Sequence, residues 1–144
     1  MGFLSNLLDT AKRELSSYTG DKVFLAAVAS AAANVTAADG KIEDSELETA
    51  ILGMKANPII KASYSGSQIE EALTSALSRA KSRAGRMENK RLIEALVTRP
   101  PEQRQDVFLI AADIADNDGI APEEQRVLDE VANLLNVDGK KLLG

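Results

Sequence analysis

Apolar residues recur along this chain at intervals of three and four, with no sustained strict alternation of the kind a half-buried strand requires, so the pattern predicts helices throughout. Phe3, Leu4, Leu7, Leu8, Ala11 and Leu15 predict an amphipathic helix over residues 2 to 17, suited to docking on the body of the domain or to lying on a membrane surface. Val23, Phe24, Ala27, Val28, Ala31 and Val35 define one face of a helix over 21 to 37, stopped by Asp39-Gly40. A helix over 43 to 56 follows, and "NPIIKASYSGS" then interrupts the rhythm with a Pro and a Gly. Ser67 and Glu70 have capping-box spacing, and Ile69, Leu73, Ala76, Leu77 and Ala80 carry that helix to about residue 83. Gly85 interrupts; Met87, Leu92, Ile93, Leu96 and Val97 mark the next helix, ended by Pro100-Pro101. Helices over 102 to 117 and 122 to 135 complete the pattern, with Asp138 placed to cap a last short turn.

Composition narrows this to an all-α fold, a compact single domain over 1 to 144. The 144 residues are 44% hydrophobic but only 3% aromatic, so the core must come from Ala- and Leu-rich helices that approach closely. The expected arrangement is about seven helices: an N-terminal helix within 1 to 18, a first hairpin over 21 to 56, middle helices over 67 to 97 and a second hairpin over 102 to 136. With no Cys and no His, disulfides, thiolate or imidazole metal ligands and His-dependent nucleophilic triads are excluded. Any metal must be held by oxygen. No apolar run has the length of a membrane span, and the charged N-terminal stretch is unlike a secretory signal, so a soluble, cytoplasmic protein is expected.

Two Asp-Gly elbows stand out. Asp39-Gly40 and Asp118-Gly119 lie 79 residues apart, and each is followed by an apolar residue, Ile42 or Ile120, and the acidic first turn of a helix. Pro122 falls at the favoured first helical position behind Ala121, and Glu46 and Glu124 occupy corresponding third positions. The two hairpins are expected to be related by rough pseudo-symmetry. Helix-dipole stabilisation, about 0.3 to 1 kcal/mol for each carboxylate, suffices for Glu43, Asp44, Glu46, Glu123 and Glu124. It does not cover Asp113 and Asp116, which sit together in the last turns of their helix, where the dipole repels them. With Asp118 they form a cluster that must be spread into solvent or neutralised by a cation or a basic partner.

A standard EF-hand is excluded. With Gly40 at the sixth loop position, Val35 and Ala37 occupy the first and third; with Gly119 there, Ile114 takes the first and Gln125 the twelfth. A site drawing oxygens from both hairpins remains open.

The elbows "AADGKIEDSELETAI" and "IADNDGIAPEEQRVLDEVANLLNVD", the intervening "MENKRLIEAL" and the N-terminal "GFLSNLLDTAKREL" resemble the tellurite-resistance TerB family over nearly the whole chain. The resemblance implies a compact helical domain, non-enzymatic, serving tellurite resistance and wider bacterial stress responses. It further implies metal binding through the elbow acids, and work near a membrane with other Ter proteins such as TerC and TerD. Asp39 and Glu46 match the first motif, and Asp118 and Glu124 the second; the charge argument adds Asp113 and Asp116. The expected ion is a hard divalent cation, Ca²⁺ first, with Mg²⁺ and Mn²⁺ as alternatives. Without thiols the chain has no evident means to reduce or trap tellurite, so a sensing or scaffold role is the expectation, at the inner face of the membrane or in the cytoplasm.

Arg79, Arg83, Arg86 and Lys90 recur at helical spacing, and residues 79 to 91 carry a net +5 against −5 for the whole chain. Such a stripe either pairs with acids of the same molecule or docks anionic lipid headgroups or an acidic partner; the acidic pI and scarcity of aromatics argue against nucleic acid. The competing reading of the whole protein is a metal-independent adaptor that uses its acidic and basic faces. A carboxylate-based hydrolase has no support in the sequence.

Overall fold

The computed structural model describes residues 18 to 116 and 119 to 144. Among them the chain forms eight helices and no strand. These are α1 (Lys22–Thr36), α2 (Asp44–Ala56), α3 (Pro58–Ser63), α4 (Gly66–Ala80), α5 (Arg83–Glu94), α6 (Pro101–Ala115), α7 (Pro122–Leu135) and α8 (Gly139–Leu143). The amphipathic helix expected over 2 to 17 lies outside the described residues.

The Ala-rich α1 is the central helix: it packs most extensively against α4, α5 and α6, and also meets α2 and α7. Its run from Ala27 to Val35 is buried all round, which small side chains permit because they let several neighbours approach one axis. Phe24, Phe108, Met54, Leu73, Leu77, Ile93, Leu128 and Leu135 supply the bulk. Val23, expected on the core face of α1, is half exposed. At the start of α1, Asp21 Oδ1 accepts from Phe24 N–H at 3.1 Å, and the carboxylate also pairs with Arg99, Nη1 to Oδ2 at 2.7 Å. Arg99, from the turn after α5, thus anchors the entrance of the central helix. Tyr64 adds a third tie, its hydroxyl donating to Asp21 O at 2.6 Å, and burial raises its phenol above the ordinary value.

Three local expectations are corrected. The stretch over 57 to 67 holds a helical turn, α3: Asn57 Oδ1 accepts from Ile59 and Ile60 N–H, and Pro58 takes the first helical position. The capping box of α4 is formed by Ser65 and Gln68, two residues before Ser67 and Glu70. And the α4–α5 break falls at Lys81-Ser82 instead of Gly85, because Ser82 Oγ accepts from Gly85 N–H and starts α5. Gly85 is needed there for a different reason: a Cβ would lie 1.7 Å from the carbonyl oxygen of Arg79.

Where α1, α4 and α5 meet, the core contains a polar knot. Asn89, fully buried, donates through Nδ2 to Asn34 Oδ1 at 2.9 Å and to Ala76 O at 3.1 Å, and accepts from Arg79 Nε at 2.7 Å. Asn34 in turn donates to Arg86 O at 3.2 Å, and Arg79 reaches Ser30 Oγ. Among the described residues no buried side-chain polar atom lacks a partner.

Candidate functional site

The glycines of the two elbows share one backbone conformation. Gly40 and Gly119 have φ of +85° and +86°, the left-handed conformation that only Gly adopts without strain, and each turns the chain into the helix that follows. In the first elbow Asp39 Oδ1 accepts from Lys41 N–H at 3.0 Å. At the start of α7, Glu124 Oε1 accepts from Ala121 N–H at 2.8 Å; Glu46 holds the corresponding third position of α2. The Glu124 bond is the carboxylate half of a capping box, which holds that side chain back over the elbow instead of out along the helix.

That geometry brings the two glutamates to one cleft of about 290 Å³, lined by Thr36, Ser45, Glu46, Thr49, Ile114 and Glu124, with Gly119 at its edge. Gly53 of α2 packs on Ile114 of α6, so the two hairpins share a wall. The electrostatics register the convergence. Burial raises the Glu46 carboxyl above its ordinary value of 4.5, and the charges of Asp39, Glu43 and Glu124 push it the same way.

The acids nominated from sequence therefore separate. Glu46 and Glu124 line the cleft, and Asp39 stands close enough for its charge to act on Glu46. Asp113 and Asp116 are exposed and do not line it; Asp116 caps α6. Asp118 lies outside the described residues. Among the described residues no three carboxylates stand close enough to hold one metal ion. Two facing carboxylates, one of them already holding a backbone N–H, fit a hard cation that keeps much of its water, and fit poorly an ion wrapped entirely by protein. The hydroxyls of Thr36, Ser45 and Thr49 add hard oxygen atoms that the sequence reasoning missed; Ser45 and Thr49 lie at i, i+4, a spacing that could have shown them.

The basic stripe also separates. Arg79, on α4, turns into the polar knot, and Arg86 donates through Nη1 to Ala80 O at 3.0 Å, closing the end of α4. Lys90 pairs with Glu130 of α7 at 2.6 Å. Arg83 is exposed on the first turn of α5.

Fold and cleft together define, among the described residues, an all-helical domain in which a glutamate from the helix after each glycine elbow lines one cleft. The family model described as tellurite resistance protein TerB matches residues 25–142, and the chain belongs to that family. No curated protein and no solved structure matches it significantly. Among the described residues no helix is long and apolar enough to cross a membrane.

Proposed function

We propose that the protein is a non-enzymatic tellurite-resistance and stress-response module in which a hydrated hard divalent cation bridges Glu46 and Glu124, tying the α1–α2 hairpin to the α6–α7 hairpin. The observation that carries this reading is the meeting, in one cleft, of two glutamates from opposite ends of the chain, with the Glu46 carboxyl raised by burial and by neighbouring acids. Like charges so placed disfavour each other, and a cation between them removes the repulsion. The ion's role is electrostatic: it supplies positive charge and oxygen coordination. The protein's role is to hold the two carboxylates in one cleft; the bond from Ala121 N–H fixes Glu124 there before any ion arrives. Occupancy would stiffen the hairpin pair and so report cation supply to partners, other Ter proteins and a membrane protein of the TerC type on the cytoplasmic side.

The test is the melting temperature of chelated protein against millimolar Ca²⁺, Mg²⁺ and Mn²⁺, for wild type, Glu46→Gln and Glu124→Gln. A rise of several degrees with one ion, lost in both variants, is expected, since a ligand bound only by the folded state stabilises it by mass action. No rise with any ion would sink the reading and leave the metal-independent adaptor.

A further inference from the structure

A second cleft, of about 360 Å³, opens on the other side of the first elbow, between that elbow, α5 and α7. Its charged lining is Arg83, Arg86, Lys90 and Glu130, and its apolar lining includes Met87 and Val127. The charges are not balanced. Glu130 is taken by Lys90 at 2.6 Å, whereas Arg86 spends one N–H on a neutral carbonyl, that of Ala80. Arg83 has no partner among the described residues. Two guanidinium charges are therefore left over in a cleft of an acidic protein. Beside them Met87, on the side of α5 away from buried Asn89, is 50% exposed and offers an apolar side chain to the cleft.

We infer that this cleft docks an acidic segment of a partner protein, one in which an apolar residue is flanked by Asp or Glu. Charge complementarity sets the sign: guanidinium forks match carboxylates in bidentate geometry, and the two that are uncompensated call for anions. Shape and apolar lining set the class. The charges surround a concavity lined by exposed Met87 and half-buried Val127, which a peptide chain enters and a flat lipid surface does not. Nucleic acid would bring its phosphates against Glu130 and find no aromatic ring to stack on. Met87, unbranched and flexible, shapes itself to an apolar anchor. Docking here needs no cation in the acidic cleft, so the inference stands apart from the proposed function.

The experiment uses the full chain, isotope-labelled and kept in chelator, titrated with a synthetic peptide in which Glu and Leu alternate. Control peptides carry Gln for Glu or Ser for Leu. Expected are saturable shifts of backbone amides in Ala38, Gly40, Arg83, Met87, Lys90 and Val127, weakening as salt is added. Arg83→Glu should weaken the peptide about tenfold, as a repulsive charge replaces an attractive one. Met87→Ser should weaken it too, and Lys61→Glu, the same charge change on α3, should not. Arg83 and Met87 are exposed, so both variants are expected to keep the wild-type amide spectrum; Arg83→Gln provides a milder form of the charge test. The inference is overturned by non-saturating titration, by shifts centred elsewhere, or by equal affinity for the Gln peptide. It is equally overturned if inorganic phosphate or anionic phosphatidylglycerol vesicles reproduce the same shifts and displace the peptide.

Discussion

Asn89 of α5 and Asn34 of α1 meet amide to amide inside the core, Nδ2 of the first donating to Oδ1 of the second at 2.9 Å with Asn89 wholly enclosed. The pair sits where α4 also arrives, so one side chain joins three helices: Asn89 touches Asn34, Ala76 O and Arg79 at once.

Asn89→Ala should therefore cost far more than the loss of one hydrogen bond, because it removes hydrogen bonds to three partners at once, two of them enclosed in the core and the third the half-buried Arg79. About 3 kcal/mol is expected, measured as a shift in the urea midpoint at unchanged slope. Asn34→Ala removes fewer contacts and should cost roughly half as much. Equal costs for the two would show that Asn89 is not the hub.

Gly85→Ala should be comparably damaging, although the residue lies in the first turn of a helix where Ala is ordinarily favourable. The added methyl would meet the Arg79 carbonyl at 1.7 Å, and backbone cannot step aside as a flexible side chain can. A loss of about 3 kcal/mol is expected in the same denaturation experiment, in contrast to the usual gain from Gly→Ala in a helix.

The Asp21–Arg99 pair predicts part of the acid sensitivity. The Asp21 carboxyl is lowered below its ordinary 3.8, chiefly by its hydrogen bonds to Arg99, with smaller help from the Phe24 N–H. A lowered folded-state value means that its stabilisation is complete above the unfolded value and is lost as pH falls through the folded one. Asp21→Asn keeps an oxygen for the Phe24 N–H and removes the charge together with the Oδ2 acceptor of Arg99 Nη1. The variant should be less stable by about 1 kcal/mol at neutral pH, and the gap should close as pH falls through the lowered Asp21 value. A difference that persists undiminished in acid would assign the effect to packing.

Glu46 predicts the opposite slope. Its carboxyl is raised by burial and by Asp39, Glu43 and Glu124, so the protonated form is favoured on folding. Its contribution is present in acid and is lost as pH rises from about the ordinary 4.5 through the higher folded value. In chelator, Glu46→Gln should flatten that part of the stability profile and leave the variant the more stable protein at neutral pH. A variant less stable than wild type in chelator would mean that the charge of Glu46 contributes more at the N-terminus of α2 than its burial and its acidic neighbours cost.

The all-helical fold was legible because it depends on patterns of neighbours. Apolar spacing located α1, α2, α4, α6 and α7 within a few residues, and Pro122 behind Ala121 marked the start of α7. The short α3 was hidden by its brevity: one and a half turns carry too few apolar positions to show a period, although Asn57-Pro58 is a good start signal. The basic stripe is split between two helices, since the chain bends at Lys81-Ser82; Arg79 is turned inward by Asn89 and Lys90 pairs with Glu130.

Sequence by itself determined where the elbows lie and which residues begin the helices after them, since Gly at positive φ and Glu at the third helical position act through the nearest few bonds. It also determined, through the absence of Cys and His, that any ligand atoms must be oxygen. Only the tertiary structure decided which acids meet. Glu46 and Glu124 face one cleft because α2 and α6 pack through Gly53 and Ile114, while Asp113 and Asp116, adjacent to the same elbow in sequence, are left to solvent. The reason is physical: helix caps are local, but the distance between charges 78 residues apart in the chain is set by how apolar faces pack.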